Sequence, residues 1–244
     1  MTGDDERGAP MGRRRLIRAA LTGVVAVAAG LVSDTSATST ATRGDGKGPR
    51  AGTPKSALRE LVAGNVRWRS FRASNPDRTR AVRQTLVAGQ HPFAVVLGCV
   101  DSRVPPELVF DQGLGDLLTV RSAGPVLDEV VLASVTYGVL ELGIPLVVVL
   151  GHQSCGAVTA AVEAAQAGHT LPGHMQYLAD QIRPAIDQTL QGSARVDAAI
   201  TANVRLVRSR LAAEPDLAPK LMAGGLAVVG ARYELTSQRV DQIH

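Results

Sequence analysis

The chain has 244 residues and a hydrophobic fraction of 45%, enough to build one ordinary domain around a real core, which excludes a disordered tail protein. Its 26 Lys and Arg outnumber 22 Asp and Glu for a net charge of +4, but 8 basic and 5 acidic residues fall in the first fifty, leaving 18 against 17 in the remainder. A nearly neutral body with three Phe, three Tyr and one Trp offers neither a basic patch nor stacking platforms, so no nucleic-acid partner is expected.

In the first fifty residues, Arg13, Arg14, Arg15, Leu16, Ile17 and Arg18 precede residues 19–32, an uncharged run of Ala, Val, Leu, Gly and Thr. Fourteen apolar residues are too few to cross a bilayer, which takes roughly 20 in a helix, and have the proportions of a signal-peptide core. Arg13-Arg14, then one residue, then Leu16-Ile17-Arg18, resembles the twin-arginine export signal, with Gly12 where Ser or Thr is usual. Thr35 and Ala37 are small residues at the −3 and −1 positions of a cleavage site after Ala37. This reading makes the protein exported, to the cell envelope, the periplasm or the medium. The alternative is an uncleaved anchor, which would be the chain's one membrane attachment. Residues 38–50, rich in Ser, Thr, Gly and Asp, read as a flexible linker, and the folded domain is expected over residues 51–244.

Thr53-Pro54, followed by Leu58, Leu61 and Val62 and closed by Gly64, combines an N-cap, a proline at the first helical position and a terminal glycine. That pattern predicts a short helix ending at Gly64, with a second over residues 65–71. Residues 93–99, Phe-Ala-Val-Val-Leu-Gly-Cys, form a continuous apolar run that suits a strand buried on both faces. Residues 117–121 and 145–151 predict two more strands. Between them Leu127, Val130, Val131, Val135, Leu140 and Leu142 recur at helical spacing and stop at Gly143. Helices are expected over residues 157–167 and 195–213 and within 174–191, and a late strand over 226–235. There is no internal repeat. Strand and helix alternate, which predicts an α/β fold with a mainly parallel central sheet and crossover helices.

Two cysteines in a chain of this length are a single bridge, two inert core thiols or two metal ligands. Cys99 ends the first strand and Cys155 follows the third, and carboxyl ends of strands are where a parallel sheet forms its ligand crevice. His152 lies three residues before Cys155 on a turn entering a helix, so the two can share a face, and a thiol at a helix N-terminus ionises more easily. Two thiolates and an imidazole are zinc ligands, and three protein ligands leave a fourth position open, as catalytic zinc sites do. A disulfide between the cysteines would leave His152 and Asp101 without a task. Around Cys99 the chain reads Cys99-Val100-Asp101-Ser102-Arg103, and in extended backbone Cys99, Asp101 and Arg103 point the same way. The Asp101 carboxylate can then accept a hydrogen bond from metal-bound water while Arg103 holds it off the metal.

Cys-x-Asp-x-Arg at 99–103 and His-x-x-Cys at 152–155 within Gly-His-Gln-Ser-Cys-Gly resemble the β-class carbonic anhydrases. The likeness extends from about Gly64 to Leu235 and takes in Gly89-Gln90-His91-Pro92, Phe110-Asp111-Gln112-Gly113-Leu114-Gly115-Asp116, Val120-Arg121-Ser122-Ala123-Gly124 and Tyr137. It implies one Zn²⁺ per chain held by Cys99, His152 and Cys155, an Asp101–Arg103 dyad, and reversible hydration of carbon dioxide to bicarbonate by zinc-bound hydroxide. It also implies a homodimer or homotetramer whose N-terminal helices pack on the partner subunit. Gln90 matches an amide that in one branch of the family binds substrate from across the dimer, and Tyr137 a pocket aromatic of that branch. The other branch carries a Trp three residues before the first Cys and a regulatory bicarbonate pocket; Val96 stands there, and the resemblance carries no such pocket over. Leu118 and Ser122 replace a common Phe and Asn. Hydrolysis of carbon disulfide or carbonyl sulfide on the same scaffold, and a non-enzymatic zinc or thiol-redox module, are the alternatives.

Overall fold

The computed structural model describes residues 51–244; the export signal and linker expected over residues 1–37 and 38–50 lie outside them. Helix α1 spans Pro54–Arg69. Thr53 and Ser56 cap its N-terminus reciprocally: each side chain accepts from the other's backbone N–H, at 3.2 and 3.1 Å. The helix runs through Gly64 rather than ending there, so the two short helices read from the sequence are one. The glycine serves a close approach. A Cβ on Gly64 would lie 1.7 Å from the Phe110 carbonyl oxygen, and only a bare Cα lets α1 seat on that backbone.

Helix α2 (Arg80–Thr85) and a single 3-10 turn lead into β1 (Ala94–Cys99), followed by α3 (Pro106–Val109), β2 (Leu117–Ser122), α4 (Glu129–Leu140) and β3 (Leu146–His152). Helices α5 (Gly156–Ala167), α6 (Met175–Ile182), α7 (Gly192–Ala212) and α8 (Ala218–Met222) separate β3 from β4 (Ala227–Tyr233), and β5 (Val240–Ile243) closes the chain. The sheet order is β2-β1-β3-β4-β5, parallel except for the antiparallel β4–β5 pair. The expected α/β class and mainly parallel sheet are present.

The apolar runs of β1 and β3 are buried along their whole length because both faces are covered. Val95, Leu97, Val147 and Val149 meet α4 and α7 residues such as Val135, Val139, Val204 and Leu211. The alternate residues Ala94, Val96, Leu146, Val148 and Leu150 form a second core with Ala57 and Leu61 of α1 and Val109 of α3. Asn65 ties α1 to both its neighbours, donating to the carbonyls of Val109 and Gln238 and accepting from the Val240 N–H.

This strand order fixes where a ligand crevice can form. From β1 the chain crosses to β2 on one side, and from β3 it crosses to β4 on the other. The carboxyl ends of β1 and β3 are therefore the switch point of the sheet.

Candidate metal centre

Cys99 is the last residue of β1 and His152 the last of β3. Ser154, in the left-handed region at φ 54°, turns the chain so that Cys155 becomes the N-cap of α5. Three side chains from two strand ends thereby meet, all buried, with their ligand atoms within 4.8 Å of one another. Both cysteines are free thiols with sulfurs 3.9 Å apart, far beyond the roughly 2.05 Å of a disulfide.

The donor set fits a metal ion. His152 Nδ1 lies 2.9 Å from the Gln153 carbonyl oxygen, which can only accept, so Nδ1 carries the proton and Nε2 presents its lone pair. That Nε2 is buried with no hydrogen-bond partner among the described residues. Such an atom costs stability unless something binds it. Two sulfurs each about 2.3 Å from a tetrahedral zinc stand about 3.8 Å apart, close to the spacing observed.

The electrostatics follow from this crowding. Hydrogen bonding from Cys155 holds the Cys99 thiol down to about 4, against burial and with help from His152 and the Gly124 N–H. Cys155 is driven the other way, first by its bond to the Cys99 sulfur and then by burial. One thiolate forms readily, and a second needs a compensating cation. Burial lowers the pKa of His152, but the Cys99 sulfur beside it, the Gln153 carbonyl and Asp101 outweigh burial and the net shift is upward.

Asp101 stands beside the cluster with Oδ2 3.9 Å from His152 Nε2. Arg103 grips it as a fork, donating from Nε to Oδ1 at 2.9 Å and from Nη2 to Oδ2 at 2.7 Å, with its backbone N–H on Oδ1 at 2.9 Å. These bonds hold the Asp101 carboxyl near 2. Arg103 Nη2 also reaches the Ser154 carbonyl at 3.3 Å, joining the two loops that bear the cluster.

Three contributors were not assigned a role by sequence reasoning. Arg121 on β2 donates to the carbonyls of Cys99 at 2.8 Å and Asp101 at 2.7 Å, clamping the backbone on both sides of Val100. The Gly124 N–H donates to Cys99 Sγ at 3.4 Å, and Asn203 of α7 donates to the Gly124 carbonyl. The one signal for Asn203 is a polar residue interrupting the core-facing stripe of Ala199, Ile200, Val204 and Val207.

Gln90 and Tyr137 are not joined to the cluster within one chain. Gln90 is exposed ahead of β1. Tyr137, 49% exposed on α4, lines an open groove of about 750 Å³ with Leu118, Val120, Arg121 and Val130 over the free edge of β2. His91, His169 and His174 are exposed.

Fold and site together define a mainly parallel α/β protein with a Cys-His-Cys cluster that could hold a metal ion at the switch point of its sheet. Residues 94–240 match the family described as carbonic anhydrase. Carbonic anhydrase 2 of Mycobacterium tuberculosis is 42% identical over 189 residues, covering 76% of this chain and 91% of that protein. Among solved structures, the β-carbonic anhydrase CcaA superposes with a TM-score of 0.60 at 26% identity, over 76% of this chain and 86% of its own. A tetrameric β-carbonic anhydrase from Sordaria macrospora, 20% identical, shares the fold with a TM-score of 0.61, over 76% and 96% of the two chains. The chain belongs to the β-class carbonic anhydrases, zinc enzymes that hydrate carbon dioxide.

Proposed function

We propose that Cys99, His152 and Cys155 hold one zinc ion per chain and that Asp101 and Arg103 complete the carbon dioxide hydration site beside it. The observation that carries this reading is the buried, unbonded His152 Nε2 facing two sulfurs at tetrahedral spacing. Bound there, zinc supplies the Lewis acidity that makes water a nucleophile at neutral pH. Asp101, held ionised by Arg103, is an acceptor at all physiological pH values, and its Oδ2 would take a hydrogen bond from water at the cluster and orient it. Arg103 keeps the carboxylate from turning into the cluster. Val104, fully buried, and Leu118 and Ala123, partly so, supply apolar surface suited to a nonpolar substrate.

Gln90 and Tyr137 serve this reading only if a second copy brings them to the site, which makes a homodimer or homotetramer part of the proposal. The apolar groove on the edge of β2 that no other described strand pairs with supports such assembly, because an open strand edge bearing partly buried Leu118 and Val120 invites pairing. Sedimentation at dilute concentration should show no active monomer. The ligand set is tested by Cys155→Ser, which should lose zinc and hydration together; full zinc occupancy in that variant refutes the assignment.

A further inference from the structure

Asn203 takes no part in the reaction proposed above, yet it is 2% exposed on a helix face whose other buried residues, Arg195 apart, are apolar. Buried amides are hydrogen-bonded, and this one has a long-range partner: Nδ2 donates to the Gly124 carbonyl at 2.7 Å, across 79 residues of sequence. Gly124 in turn donates its N–H to Cys99 Sγ. The two peptide groups flank a residue at φ 70°, where a Cβ would stand 2.9 Å from Ile182 Cδ1 and 3.2 Å from Ala157 Cβ. Glycine is the residue that fits this turn, and glycine is also the residue that leaves its peptides freest to rotate. Asn203 supplies the restraint.

We propose that Asn203 is a positioning residue for the metal centre: by fixing the Gly124 carbonyl it keeps the Gly124 N–H aimed at the Cys99 sulfur. A hydrogen bond to a thiolate withdraws charge from it, so the sulfur becomes a weaker donor to a metal ion. Contacts of this kind, one step removed from the ligands, tune metal sites as strongly as many direct neighbours do. Without the amide restraint, the Gly124 peptide is free to turn and the sulfur keeps its charge.

This inference rests on Cys99 being a metal ligand, and cobalt substitution separates the two claims without any activity measurement. Cobalt-loaded parent protein should show sulfur-to-cobalt charge-transfer absorption; if it shows none, the ligand assignment itself fails. In Asn203→Leu, similar in size but without a donor, the band should move to lower energy, because a sulfur with more charge gives up an electron more easily. Cobalt affinity should rise, because the sulfur that keeps its charge is the stronger donor. Val207→Ala loosens the same helix on its core face without touching Gly124, and should leave the band in place. If Asn203→Leu does not fold, Asn203→Ala, a strong helix former, should give the same shift. A parent-like band and affinity in a folded Asn203 variant overturn the role assigned to Asn203 and leave the ligand assignment standing.

Discussion

Arg103→Ala isolates the restraint on Asp101 without removing any candidate metal ligand. In the parent, two guanidinium bonds and one backbone bond hold the carboxylate, and only the backbone N–H survives the substitution. The guanidinium bonds, opposed by burial and helped by the Arg103 N–H and the nearby His152, hold the Asp101 carboxyl near 2 rather than at 3.8. A solvent-screened pair of this kind is worth up to about 1 kcal/mol, so its loss shifts the balance between a held and a free carboxylate by up to about fivefold. The freed Oδ2, already 3.9 Å from His152 Nε2, can turn into the cluster and take the position a metal ion would offer to water. The variant should keep its zinc and lose most of its hydration activity, with the greatest loss at low pH, where water is least able to displace the carboxylate. Stopped-flow hydration across pH on zinc-quantified protein reads the activity, and zinc K-edge spectroscopy reads the added oxygen. An Arg103→Ala enzyme with the parent's rate and pH profile reduces the dyad to an ordinary ion pair and refutes the gating role.

Asp111, its side chain 1% exposed, accepts from Arg67 Nε at 2.5 Å, from the Ser74 N–H and hydroxyl and from the Asn75 N–H, so Asp111→Asn should cost about 3 kcal/mol in denaturant unfolding. Those bonds, opposed by burial, hold its pKa below the usual carboxylate value, so its stabilisation is complete above the ordinary carboxyl range and is lost as pH falls through the lowered pKa. An Asp111→Asn variant that unfolds in acid with the parent's pH dependence contradicts this. Gly64→Ala tests the reading of α1: helix propensity alone favours Ala by about 1 kcal/mol, but the clash with the Phe110 carbonyl should win and lower the melting temperature, and a raised one refutes the close approach. We further propose that the twin-arginine signal exports the folded, metal-loaded chain. Replacing Arg13 and Arg14 together by Lys should then trap the protein inside the cell, whereas unchanged export in cell fractionation points to another route.

What the sequence made legible was chemistry carried by local spacing. Cys99, Asp101 and Arg103 lie on one short stretch, and His152 and Cys155 on another, so each half of the site could be read by itself. The halves meet because β1 and β3 are neighbours at the switch point, a matter of strand order that no local pattern records. The strands β1 and β3 were readable because burial on both faces makes them unbroken apolar runs. Strand β5 was not: Val240–Ile243 is four residues with two polar side chains, and it exists by pairing with β4. Gly64 misled because a terminal glycine and a glycine at a close approach look alike until the approaching backbone is known. Arg121, Gly124 and Asn203 act on or through main-chain groups, whose directions belong to the tertiary structure rather than to side-chain identity.

The central claim, a zinc centre on Cys99, His152 and Cys155 that hydrates carbon dioxide, is tested most directly by titrating zinc into metal-stripped full-length protein while following hydration by stopped flow. Activity should be absent without zinc, rise in proportion to bound metal and saturate at one ion per chain. Hydration in the stripped protein, or one bound zinc per chain with no hydration, would contradict it.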